Sequence, residues 1–130
     1  MKTGGDAMGS ATNRPDQHRK YEADYKLNDS EGIRSLLRDY HKLCHSRING
    51  DYAASDILLD LEDAIDAAML TAPQKRALTL IYIEDLTQRE AADEMGIERS
   101  VVSKHVTAAV NKIAEIYAYW ADRGEGYCVN

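Results

Sequence analysis

Phenylalanine is absent from this chain and tryptophan occurs once. A core must therefore be filled by Leu, Ile, Val, Ala and Tyr, and a hydrophobic share of 44% is enough for one. Cysteine is scarce too. Cys44 and Cys128 are too few for a disulfide framework, and a reducing compartment keeps them as thiols. No stretch approaches the ~18 apolar residues of a membrane-spanning helix. The opening "MKTGGDAMGSATNRPDQHRK" lacks the apolar core of a secretory signal, so the expected location is cytoplasmic. Also missing are a glycine-rich phosphate loop, a Ser-His-Asp order and carboxylates paired as in a cleft, which speaks against an enzyme and calls for no cofactor. With 130 residues, the chain has room for one small domain.

What charge there is lies unevenly. The net charge is −6, which argues against a nonspecific DNA coat but not against a specific reader, because local charge decides contact. Between Asp51 and Asp66 stand six acids (Asp51, Asp56, Asp60, Glu62, Asp63 and Asp66) with no Lys or Arg among them. Between Ile33 and Arg47 stand Arg34, Arg38, Lys42 and Arg47 against the single acid Asp39.

The apolar spacing predicts an all-α chain of about five helices, with a C-terminal helix-turn-helix and a long final helix. Residues 1–28 show no sustained period and read as a tail, followed by a helical pair over 29–69. In the first helix, opened by the Asp29/Ser30 cap, Ile33, Leu36, Leu37, Tyr40, Leu43 and Cys44 recur on one face. The Asn-Gly pair of "INGDY" marks a loop. The second helix is expected from near Ser55 to Met69, with Ile57, Leu58, Leu61, Ile65 and Ala68 inward. Thr71 and Gln74 form a capping box for a third helix ending near Glu84, with Pro73 in its tolerant first turn. Thr87 and Glu90 form a second box for a short fourth helix that stops at Gly96. A fifth runs from near Arg99 to about Asp122, and residues 124–130 form a closing tail.

The stretch "LTQREAADEMGIERSVVSKHV", Leu86 to Val106, has the layout of a helix-turn-helix. Ala91 and Ala92 are small enough for two helices to cross closely. Gly96 can take the positive φ that a helix C-terminus favours. With Ile97 and Val102 turned inward, the outer face of the following helix is Arg99, Ser100, Ser103, Lys104 and Thr107. Such short polar and basic side chains can reach base edges in a major groove. Gln88 and Arg89, in the first turn of the preceding helix, are placed for phosphate. Helix pairs joined by Gly also occur in bundles that never meet DNA, so the bare pattern decides little alone.

The wider segment from Leu70 to Ile113 resembles region four of bacterial sigma factors of the main family. The matching residues are Leu70, Pro73, Gln74, Lys75, Arg76, Leu78, Leu80 and Tyr82, then Glu84, Asp85, Leu86 and Thr87, then Glu90, Ala92, Met95, Gly96 and Ile97. The resemblance implies a domain that reads double-stranded DNA of promoter type and, in sigma factors, also contacts RNA polymerase. It implies base or nearby phosphate contacts from Arg99, Ser100, Ser103, Lys104 and Thr107, and backbone contacts from Gln74, Lys75, Gln88 and Arg89. The domain would cover residues 70–123. Glu98 departs from the pattern, standing where the family has a Ser or Thr cap. Residues 30–69 are too short for the DNA-melting module of a complete sigma factor. More loosely, Asp51 to Tyr127 is similar to small sigma-like regulators of phages and prophages.

Three other features bear on function. Arg34, Arg38 and Lys42, with His45 a little off line, form a stripe read as solvated or paired with Asp56, Asp60 and Asp63 rather than as a phosphate contact. His41, Cys44 and His45, even with Cys128, do not have standard zinc spacing, so no metal is expected. Val102, Val106, Ala109, Ile113, Ile116 and Trp120 form a seam that suits either a homodimer, or higher oligomer, or the chain's own helices. The expected function is sequence-specific regulation of transcription, without a membrane partner. A phage packaging subunit (small terminase-like) and a protein-interaction module are the alternatives.

Overall fold

A computed structural model describes residues 25–122. From Ser30 to Asp122 the chain forms α1 (Ser30–Arg38), α2 (Tyr40–Ile48), α3 (Tyr52–Ala67), α4 (Ala72–Leu78), a π-helical turn (Thr79–Ile83), α5 (Gln88–Met95) and α6 (Arg99–Asp122). No strand interrupts the described residues, and none of their helices is long and apolar enough to cross a membrane. The all-α expectation and the long final helix are both found. Of the expected tails, residues 1–24 and 124–130 lie outside the described residues.

Helix α6 is the axis of the core. It packs against α4, α5, α1 and α3. Val102, Val106, Ala109, Val110, Ile113, Ala114 and Tyr117 are all buried along it, so the seam is filled by this chain's own helices. Ile33, Leu36, Ile57, Leu58 and Leu61 meet it with 0–1% exposure, each such side chain contributing roughly 1.5–3 kcal/mol on burial. Ile116 and Trp120 lie against the same core, half-buried. The Tyr117 and Trp120 rings meet in a T-shaped arrangement, centroids 5.3 Å apart.

The N-terminal half differs from the sequence expectation in three places. The single first helix is broken at Asp39, whose φ of −93° and ψ of 8° leave the helical region. The Tyr25 hydroxyl donates to Asp39 Oδ2 at 2.8 Å and holds the break from outside the helix. The next helix starts at Tyr52 rather than Ser55, because the Asp51 carboxylate accepts from the Ala54 N–H at 3.0 Å and caps it there. Leu27, assigned to the tail, is 3% exposed and belongs to the core. Gly32 makes room for that segment: the carbonyls of Tyr25 and Lys26 lie where a side chain at residue 32 would stand.

The second half follows its local signals. Both capping boxes are formed. The Thr71 hydroxyl accepts from Gln74 N–H while Gln74 Oε1 accepts from Thr71 N–H, and Thr87 and Glu90 do the same. After Leu78 the α4 ladder widens, with Glu84 N–H bonding Thr79 C=O at 3.0 Å. Within this turn the Thr79 hydroxyl donates to the Lys75 carbonyl at 2.9 Å, a back-bond of the sort that bends helices.

Candidate nucleic-acid interface

The turn between α5 and α6 is built by glycine geometry. Gly96 has φ 68° and ψ 33°, the left-handed region. Its N–H bonds Asp93 C=O and the Ile97 N–H bonds Ala92 C=O, so the last carbonyls of α5 are satisfied by a Schellman closure. Ala91 is fully buried and Ala92 nearly so. Ile97 packs against the core. The chain then re-enters a helix, with Glu98 C=O accepting from Val102 N–H at 3.1 Å. From the other side, Arg76 Nη2 reaches the Glu94 carbonyl at 3.4 Å and its carboxylate at 3.9 Å, a cation at the C-terminal end of α5.

With Val102, Val106 and Ala109 buried, the opposite face of α6 turns outward. Arg99, Ser100, Lys104 and Thr107 are exposed and Ser103 is half-buried. On α5, Arg89 is exposed and Gln88 half-buried in the first turn, beside the N–H groups of the helix start. Lys75 is exposed, at the start of the last turn of α4. Gln74 is the exception among the expected contacts. Its Oε1 accepts from Thr71 N–H at 3.1 Å and from Lys112 Nζ at 2.9 Å, so this oxygen ties α4 to α6. Only its amide nitrogen remains for an outside partner.

One residue was missed by sequence reasoning. Arg34, read as part of a solvated or acid-paired stripe, donates from Nη2 to Thr107 Oγ1 at 2.9 Å, across 73 residues. Arg38 of the same stripe turns back on α1, to Ser35 Oγ at 3.1 Å and Glu31 Oε2 at 3.5 Å. The basic spacing marked the stripe, but no local pattern could link Arg34 to α6. His41 faces elsewhere: its Nε2 lies 2.7 Å from Ile83 C=O and 3.5 Å from Asp85 Oδ2, at the end of the π-helical turn. Among the described residues no group of three His, Cys, Asp or Glu side chains is placed to hold a metal ion.

The face thus presents hydroxyls for hydrogen bonding and guanidinium and ammonium groups for anions, a mixture suited to base edges flanked by phosphates. Glu98, exposed beside Arg99, subtracts from its positive potential. No curated protein and no solved structure matches the chain. A family model does: Sigma-70, region 4 matches residues 61–113, from the last turns of α3 through the buried middle of α6. That span holds both capping boxes, the Gly96 turn and the exposed face of α6, and it carries a sigma region-four-like helix-turn-helix.

Proposed function

We propose that this chain is a sequence-specific, double-stranded DNA-binding regulator of transcription. The observation that carries the reading is the outward face of exposed Arg99, Ser100, Lys104 and Thr107 with half-buried Ser103, mounted on a helix whose other face is locked into the core. In this mechanism the first turns of α6 enter the major groove, and Lys75, Gln88 and Arg89 hold the flanking phosphates. Gln74 supports the arrangement through Lys112 more than through DNA. Two bases against Glu98 give modest affinity per chain, so RNA polymerase or a second copy supplies the remainder. A second copy would dock elsewhere than on the filled seam of α6. A phage or mobile-element origin belongs to this reading on the likeness of Asp51 to Tyr127.

The test is selection from a randomised duplex pool near 0.15 M salt, wild type against an Arg99→Ala/Lys104→Ala double variant. The expected result is an enriched motif that the double variant loses, with motif symmetry reporting one copy or two. No enrichment by the wild type would overturn the reading and turn attention to the acidic outer face of α3 as a protein-docking surface. Sequence-independent binding by a ring-forming oligomer would replace it with the DNA-packaging alternative.

A further inference from the structure

The span matched to the family begins at residue 61, yet the face proposed to meet DNA is touched by a residue well before it. Helix α1 runs opposite to α6. Its start, Asp29 and Ser30, lines a shallow groove with Asn111, Ala114 and Glu115, and one turn later Arg34 reaches Thr107. This direction carries the basic end of α1 toward the start of α6. The bond to Thr107 takes one of the five N–H donors of the guanidinium. Among the described residues no carboxylate pairs with Arg34, in a chain with 22 acids and a net charge of −6. Arg38, one turn on, is neutralised by Glu31. The stripe is therefore divided: one arginine is spent within α1 and the other is held against α6, one turn from Lys104.

We infer that Arg34 is a DNA-phosphate contact supplied by the N-terminal helix, an extension of the helix-turn-helix that the matched span does not contain. The inference rests on the DNA-binding reading and adds a cation to Arg99 and Lys104 of the proposed face. Thr107 acts as the rest for the guanidinium: its hydroxyl orients the planar fork while the remaining donors face outward. A fork of this shape suits the two oxygens of one phosphate. Because α1 is packed on α6 through Ile33, Leu36 and Leu37, the contact comes with little further ordering of the backbone.

The test measures the salt dependence of affinity for the selected duplex, or for a mixed-sequence 30-base-pair duplex if selection yields none. Each phosphate neutralised adds about 0.9 to the slope of log affinity against log salt. Arg34→Gln should lower the slope by about that amount and weaken binding roughly tenfold near 0.15 M salt, the scale of one charge-assisted hydrogen bond. Arg34→Lys should keep most of the slope. Melting curves identify any variant that fails to fold, and Arg34→Met, which keeps an apolar stem without the charge, then carries the comparison, with the same loss of slope expected. Arg34→Gln with the wild-type slope, while Arg99→Gln/Lys104→Gln lowers it, would overturn this inference alone. Wild type binding neither duplex would overturn the DNA reading and the inference with it.

Discussion

Two glycines of this fold should respond to alanine for opposite reasons, and the difference is measurable. At Gly96 the backbone is left-handed, with φ 68°, but an added Cβ would meet nothing within 4 Å. The penalty for Gly96→Ala is therefore conformational alone: ~1–2 kcal/mol for an L-residue in that region, offset by ~0.4–1 kcal/mol from the stiffer unfolded chain. A net loss of about 1 kcal/mol lowers Tm by about 4–8 °C in a domain of this size. Gly96→Asn should lose less, because Asn tolerates this conformation. At Gly32 a Cβ would collide with the backbone carbonyls of Tyr25 and Lys26. Overpacking typically costs ~1–3 kcal/mol, and lifting Leu27 from the core forfeits roughly 1.5–3 kcal/mol more. Gly32→Ala should thus lose about 3 kcal/mol, well beyond Gly96→Ala. Urea and thermal melts followed by circular dichroism compare the three variants directly. If Gly32→Ala melts above Gly96→Ala, or if Gly96→Ala melts with the wild type, the geometry described for these turns is wrong.

Two further outcomes follow from the same backbone and packing. Met69, just past the end of α3, has φ 54° and is 80% exposed, so Met69→Gly should raise stability by about 0.5 kcal/mol in urea melts, the relief of strain exceeding the added chain entropy. Burial pushes the Tyr40 phenol above its ordinary value of 10.0, and a hydrogen bond with Cys44 adds to the rise. The folded state then holds this proton more tightly than the unfolded one, so the associated stability is whole below about pH 10 and falls as pH rises through the folded value. Tyr40→Phe should flatten that alkaline fall in melts between about pH 9 and pH 11.

How much could be read beforehand depended on the reach of each interaction. Capping boxes and a Schellman closure are settled within six residues, so Thr71, Gln74, Thr87, Glu90 and Gly96 declared their roles in the chain itself. The outer face of α6 was legible because its complement, Val102, Val106 and Ala109, had to be inward. Asp39 was not legible: the apolar spacing from Ile33 to Cys44 passes through it unbroken, and the break is held by Tyr25, 14 residues away. Leu27 and Gly32 were hidden for a related reason, since one leucine in a polar segment has no period and the glycine's purpose is set by a chain crossing over it. Gln74 was assigned to phosphate from its place in the family pattern, whereas Lys112, 38 residues on, engages its oxygen. Arg34 is the extreme case, its partner lying 73 residues ahead.

Helix α6 is a single 24-residue rod, about 36 Å long at 1.5 Å per residue. Its leading end is packed by α5 and its trunk by α1, α3 and α4, with Val110 fully buried between its two ends. Arg99 stands 11 residues ahead of that point, about 17 Å along the axis. A tilt of about 10° at Val110 would displace Arg99 by about 3 Å, close to the spacing of one base pair, about 3.4 Å. If Arg99 meets DNA as proposed, so small a tilt would move it by about one base pair, and the close packing around Val106, Val110 and Ile113 is then what fixes its register.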